Sequence, residues 1–189
     1  ILIAPGRSLG ATPSQIVVVE LEDKGLLTNS PVGHVVEILG TIDEPGMETE
    51  IAVRKFDLPY KFSEETKKEI KRFSDSVTKS DLRDRVDLRD IPFVTIDGAD
   101  AKDFDDAVYC LPLEDGKFRL LVAIADVSHY VKPGCAIDKD AQLRTTSVYF
   151  PRRVIPMLPE VLSNGLCSLN PQVDRLCMVC EMTVSSKGR

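Results

Sequence analysis

The sequence predicts a mixed α/β, strand-rich fold in which a partial OB-type barrel is followed by the opening part of an α+β domain. Three observations carry that expectation. Runs of β-branched residues bounded by Gly, Pro and Asn fill residues 1–58, a stripe of helical period follows Pro59, and strand-like runs return around an aspartate-rich loop in residues 91–189.

In the first part, residues 15–21, 33–39 and 50–54 read as strands, because their Val and Ile side chains suit a pleated surface and turn residues punctuate them. Short strands separated by turns suggest a small barrel, and OB-type barrels commonly bind single-stranded nucleic acid through their faces and loops. Only three strands are clear, so the barrel is expected to be incomplete or to begin upstream of Ile1. Residues 59–90 open with a helix. Ser63 suits the N-cap, Glu64 and Glu65 suit the positive end of the helix dipole, and Phe62, Thr66, Ile70, Phe73 and Val77 recur at spacings of three and four. Residues 80–90, dense in Asp and Arg without an apolar period, read as a connector.

In the third part, residues 93–96 read as a buried strand. Residues 107–113 and 118–125 read as a hairpin turned at Glu114, Asp115 and Gly116. Further on, 137–144 suit a short helix, 148–150 a short strand, 159–164 a helical turn ended by Gly165, and 176–184 a last strand.

Residues 97–106 hold five aspartates and one lysine, a local charge of −4 that leaves only −2 for the rest of the chain. Like charges held this close repel one another unless a cation sits among them. Strands pinning both ends would make the run a site rather than a solvated tail. An EF-hand beginning at Asp97 fails on spacing, because Ala99, Ala101 and Lys102 stand where ligands and the turn glycine are needed. A solvated acidic turn and a calcium loop of another geometry remain as the plainer alternatives. Hard oxygen ligands without nearby His or Cys suit magnesium, or manganese, rather than zinc.

The rest of the composition narrows the classes. Five cysteines, an odd count, argue against a disulfide framework, and Cys177 and Cys180 form a solitary CxxC on a strand-like run where residues three apart face opposite ways. No apolar run is long enough to span a bilayer and residues 1–6 lack the features of a signal peptide, so the expectation is a cytoplasmic protein with no membrane partner. A net charge of −6 without a basic patch counts against strong RNA affinity by charge alone. A His-activated nucleophile would have to rest on His129 with Ser128 or Asp126 beside it, an arrangement that sequence neighbours rarely make. No Gly-rich phosphate loop with its Lys is present, so no nucleotide cofactor is expected.

Residues 87–108, with Asp97, Gly98, Asp100, Lys102, Asp103, Phe104, Asp105 and Asp106, resemble the opening of the catalytic domain of the ribonuclease II/ribonuclease R (RNB) family. The resemblance continues through residues 122–128, 146–151 and 158–169, in the same order. The region before Pro59 is similar to the second cold-shock domain that precedes the catalytic domain in that family.

The resemblance implies a processive 3′→5′ exoribonuclease that hydrolyses single-stranded RNA to 5′-mononucleotides with Mg2+, and the protein is expected to be monomeric. By position, Asp97, Asp103, Asp105 and Asp106 match the four active-site aspartates, with Asp100 a bystander. Tyr149 matches the aromatic residue that packs against the 3′-terminal base, and Arg144 joins it as an RNA contact; a core tyrosine is the plainer reading of Tyr149. Thr145 departs from the family, which usually has Gly there. Two bridged metal ions supply an activated water on one side of a phosphodiester and charge stabilisation for the leaving 3′-oxygen on the other. Asp97 and Asp106 are the first choices as direct ligands, with Asp103 completing the shell and Asp105 holding a metal ion or the water. In the family the domain runs on beyond the position of Arg189, to an arginine at the scissile phosphate and a trailing RNA-binding domain. Residues 1–189 alone are therefore expected to bind divalent ions weakly and to cleave little. The alternative is a non-catalytic RNA-binding module.

Overall fold

The two longest β-branched runs become β2 (Gln15–Asp23) and β3 (Val32–Thr41), antiparallel neighbours in a three-stranded sheet. The short β1 (Leu2–Ile3) lies parallel to β3 on its other side. Register shifts between Ile16 and Val17 and between Val18 and Val19 place bulges in the β2–β3 pair, which increase its twist. This computed structural model describes residues 1–23 and 30–189, so the turn between the first two expected strands lies outside it. Among the described residues the sheet does not close into a barrel, and no helix is long and apolar enough to cross a membrane.

Residues 50–54, expected as a third strand, lie instead inside helix α1 (Met47–Lys55). Met47 and Val53 are each buried, and the helix puts Glu48 and Glu50 in its first turn with Arg54 and Lys55 in its last, each favourable to the helix dipole. Arg54 pairs with Glu50 one turn back and reaches Glu37 of β3 at 2.6 Å. Ile1–Tyr60 with Phe150–Arg153 make one unit of the structure, and Lys61–Tyr149 with Val154–Arg189 make the other.

The second unit opens with α2 (Glu64–Glu69), capped by Ser63, whose Oγ accepts the Thr66 N–H at 3.2 Å. A 3-10 turn, Ile70–Arg72, ends the helix at Phe73, short of Val77 at the far end of the apolar stripe. The polar residues that follow compete for backbone groups; Ser74 Oγ donates to Ser76 O at 2.5 Å. Residues 80–90 are a docked segment rather than a loose connector. Asp81 Oδ1 lies 3.1 Å from His129 Nε2, Arg85 is 2.7 Å from Asp126, and Arg89 is 3.3 Å from Asp174.

β4 (Asp106–Pro112), β5 (Phe118–Ala125) and β8 (Cys177–Val184) form an antiparallel sheet with β5 in the middle. The β4–β5 turn falls where expected, with Gly116 at φ 75, a left-handed value that glycine adopts without strain. One face buries Ala107, Leu121, Ala123 and Ala125. From the end of β5 run the short α3 (Val127–Tyr130), α4 (Ala136–Arg144), and the strands β6 (Val148–Phe150) and β7 (Arg153–Ile155), which pair with each other. Residues Val161–Leu166 form a π turn whose helical geometry breaks at Gly165, at φ −107 and ψ −106, where the end of the turn was expected. Ala125, Tyr130, Ile137, Leu158, Leu162, Leu166, Cys167 and Leu176 pack as the core cluster of this unit. Each large apolar side chain so buried contributes about 1.5–3 kcal/mol.

Residues 93–96 are not the buried strand expected. Only Val94 pairs, with Val108, while Val94 and Ile96 are 56% and 85% exposed. Pro92, two residues before the bridge, has no N–H with which to extend the ladder.

Candidate active site

The aspartate loop is fastened through its backbone. Phe104 N–H donates to Ser168 Oγ at 3.0 Å, and that hydroxyl donates in turn to Lys102 O at 2.8 Å. Leu169 N–H donates to Phe104 O at 2.8 Å, and Ala125 N–H donates to Asp105 O at 2.9 Å. Asp106 then enters β4 opposite Ile124. The segment bearing Asp103, Asp105 and Asp106 is thus held from two sides, by the end of β5 and by the chain leaving the π turn. Asp97 lies on the exposed arm that precedes it, three residues after the Val94–Val108 bridge.

The carboxyl of Asp105 is raised above the ordinary carboxylate range, first by the protein that crowds water away from it and then by the charges of Asp103, Asp106 and Asp97. The four aspartates named from the resemblance therefore act on a common neighbourhood, and Asp100 is not among the charges that perturb Asp105. An all-carboxylate donor set under mutual repulsion fits a hard divalent cation in charge and in chemistry. Among the described residues no three His, Cys, Asp or Glu side chains are already drawn to a common ligating point. Asp103 has a different partner here: Tyr149 Oη donates to Asp103 Oδ2 at 2.5 Å.

Tyr149 is 63% exposed, so it is not a core tyrosine, and its ring is open to a stacking partner while its hydroxyl marks the edge of the aspartate group. Its own hydroxyl proton is held more firmly than usual, chiefly by the bond to Asp103. Arg144 is placed differently from expectation. It is only 6% exposed, its guanidinium stacks on Phe62 at 3.7 Å, and Nη1 donates to Pro156 O at 3.0 Å. A guanidinium so enclosed is packed into the fold rather than displayed on the surface. The direction of α4 decides this, because it turns its last residue inward.

A serine-centred nucleophile finds no geometry. Ser128 Oγ donates to Asp126 at 2.7 Å, whereas the His129 ring nitrogens face Arg85 at 3.2 Å and Asp81 at 3.1 Å. Asp126 is a structural carboxylate: burial opposes its charge, but Ser128, Arg85 and the His129 N–H outweigh that and hold it below the usual range. The five cysteines are free, and Cys177 and Cys180 stand in register with Ala125 and Val122, on opposite faces of the sheet. Burial pushes the Cys167 thiol up to about 12, which leaves it unreactive.

Sequence reasoning gave no role to Ser168. It is fully buried and carries two bonds to the aspartate loop. The available signal was a lone hydroxyl among apolar neighbours, Leu166, Cys167 and Leu169, since a buried polar group needs partners.

Carboxylates on a loop fastened through its backbone, beside an exposed tyrosine, define a class of acidic site rather than a triad or a nucleotide pocket. Comparison with known proteins gives that class a family. The RNB domain matches residues 85–189 and a cold shock domain matches residues 1–63, and the chain belongs to the RNB family. It is 59% identical over 189 residues to ribonuclease R of Acidithiobacillus ferrooxidans, covering 99% of this chain and 43% of that protein. It is 56% identical over 189 residues to ribonuclease R of Escherichia coli K12, covering 100% of this chain and 23% of that one. The chain thus spans less than half the length of these relatives. Among solved structures, Mycoplasma genitalium RNase R in complex with double-stranded RNA superposes with a TM-score of 0.91 at 32% identity, covering 100% of this chain and 34% of that one. The same protein with ribose methylated single-stranded RNA gives a TM-score of 0.90 over 100% of this chain and 29% of that one, at 32% identity.

Proposed function

We propose that this chain contributes the aspartate half of a 3′→5′ exoribonuclease site in a longer cytoplasmic protein that degrades single-stranded RNA processively to 5′-mononucleotides. The observation that carries the reading is the placement of Asp103, Asp105 and Asp106 on a short segment whose backbone is fastened by Ser168, Leu169 and Ala125, with the Tyr149 hydroxyl on Asp103. Membership of the RNB family and the similarity to ribonuclease R support it.

In this reading Asp97 and Asp106 hold Mg2+, with Mn2+ as a substitute, Asp103 completes the shell, and Asp105 holds a metal ion or the attacking water. Bound there, the metal supplies an activated water and stabilises charge on the leaving 3′-oxygen. The chain's own residues do the rest. The backbone bonds of residues 102–105 would hold the carboxylates in place, Asp103 would give up its Tyr149 bond to serve as a ligand, and the Tyr149 ring would stack on the terminal base. Stacking on a base face tolerates any sequence, as a general degrader requires.

The test uses the full-length protein, 5′-labelled single-stranded RNA and Mg2+, with Asp105→Asn beside the parent. Shortening from the 3′ end to mononucleotides, lost in the variant, is the expected result. Intact RNA in both lanes, with binding retained, would favour the second reading, a non-catalytic RNA-binding module. The carboxylates' lack of a shared ligating point is the one observation on that side.

A further inference from the structure

We infer that Ser168 is a positioning residue for the carboxylate site, acting through the backbone of residues 102–104; the inference rests on the exoribonuclease reading above. Its hydroxyl is fully buried and uses both of its capacities on one short stretch of the aspartate loop, accepting from Phe104 N–H at 3.0 Å and donating to Lys102 O at 2.8 Å. Those two groups flank Asp103 on both sides. Ser168 is itself held: its N–H donates to Gly165 O at 3.1 Å, and its carbonyl accepts from Arg175 Nε at 2.9 Å. The next residue, Leu169, donates to Phe104 O at 2.8 Å.

The hydroxyl therefore links the loop to the π turn packed in the core, and the direction in which Asp103 and Asp105 leave the backbone is set through it. A carboxylate site is sensitive to such a link, because about 1 Å of misplacement costs on the order of 100-fold in rate.

The experiment compares parent, Ser168→Ala, Ser168→Cys and Asp105→Asn in the full-length protein. Cysteine keeps the volume but is a weak donor and acceptor, so it preserves packing while loosening both bonds. Three quantities are read: kcat on single-stranded RNA with Mg2+, the RNA Kd in EDTA, and the Mn2+ concentration that gives half of the metal-dependent rise in Tm. The expected result is a kcat at least 10-fold lower for Ser168→Ala and about 3- to 10-fold lower for Ser168→Cys, as a displaced catalytic group requires. RNA Kd stays within about 2-fold and the Mn2+ midpoint rises about 5-fold or more, in keeping with a metal-ligand effect transmitted from a supporting residue. Folded variants with the parent's kcat and Mn2+ midpoint, while Asp105→Asn is inactive, overturn the role of Ser168 alone. Equal loss of kcat and RNA binding, or both Ser168 variants unfolding at the assay temperature, overturns it in favour of a purely structural serine. Full turnover by Asp105→Asn brings down the carboxylate reading and this inference together.

Discussion

Replacing Thr145 by glycine should stabilise the protein relative to alanine at the same position. Thr145 follows α4 with φ 62 and ψ −37, and Thr146 N–H donates to Arg144 O at 2.7 Å, closing a three-residue turn around it. That turn, with positive φ at its centre, is rare and strained, most of all for a β-branched side chain. Holding a non-glycine residue there costs about 1–3 kcal/mol. Part is returned by the threonine hydroxyl, which donates to Arg144 O at 2.7 Å; such a bond is worth about 0.5–1.5 kcal/mol.

Glycine removes the strain, loses the hydroxyl bond and adds about 0.5–1 kcal/mol of unfolded-chain freedom. Alanine loses the same bond and keeps the strain. The hydroxyl cancels in the Gly–Ala comparison, which leaves glycine ahead by about 1 kcal/mol, or roughly 2–4 °C in Tm for a chain of this size. Urea midpoints at constant m and calorimetric Tm values measure it. An alanine variant as stable as the glycine variant would refute the reasoning, because it would mean that the backbone at residue 145 carries no strain.

Asp126 should make stability pH-dependent at the acid end. Its folded pKa lies below the unfolded value of about 3.9, so its stabilisation is complete above that value and disappears as pH falls through the folded one. Asp126→Asn should therefore lower stability at pH 7, by about 1–3 kcal/mol for a charge-assisted pair that is mostly buried, and flatten the decline as pH falls below the unfolded value. Denaturant midpoints across that range decide it, and an unchanged acid limb would count against the Arg85 pairing. Arg144→Ala should cost about 2–4 kcal/mol through loss of the Phe62 stack and the Pro156 bond, with RNA affinity of the folded full-length protein unchanged. A selective loss of RNA binding would restore Arg144 as a contact. Tyr149→Ala should weaken RNA binding by about 1–3 kcal/mol while Tyr149→Phe stays near the parent. Equal losses in the two variants, by fluorescence anisotropy in EDTA, would remove the stacking role.

Much of the second unit's local structure was legible because its signals are local. Apolar runs on both sides of Glu114, Asp115 and Gly116 specify the β4–β5 hairpin, and Ser63 before Glu64 and Glu65 specifies the start of α2. Residues 50–54 failed for the opposite reason. A short run with Ile51 and Val53 fits either a strand or a helix, and the choice fell to the burial of Met47 and of Val53 and to the Arg54–Glu37 contact, which a five-residue window does not contain. Residues 93–96 failed because β propensity does not create a partner: beyond the Val94 bridge the pairing is not continued.

The acidic run at residues 97–106 was readable from composition, since charge density is written directly in the residues, and the resemblance to the RNB family singled out Asp97, Asp103, Asp105 and Asp106 within it. Sequence alone determined which side chains are the candidates for the chemistry. Tertiary structure decided what holds and surrounds them: that Ser168, more than sixty residues on, bonds the loop, that Tyr149 opens its ring to solvent, and that Arg144 turns inward. The physical reason is range. Charge, propensity and caps act over a few residues, whereas burial and hydrogen-bond satisfaction depend on which distant segments the core brings together.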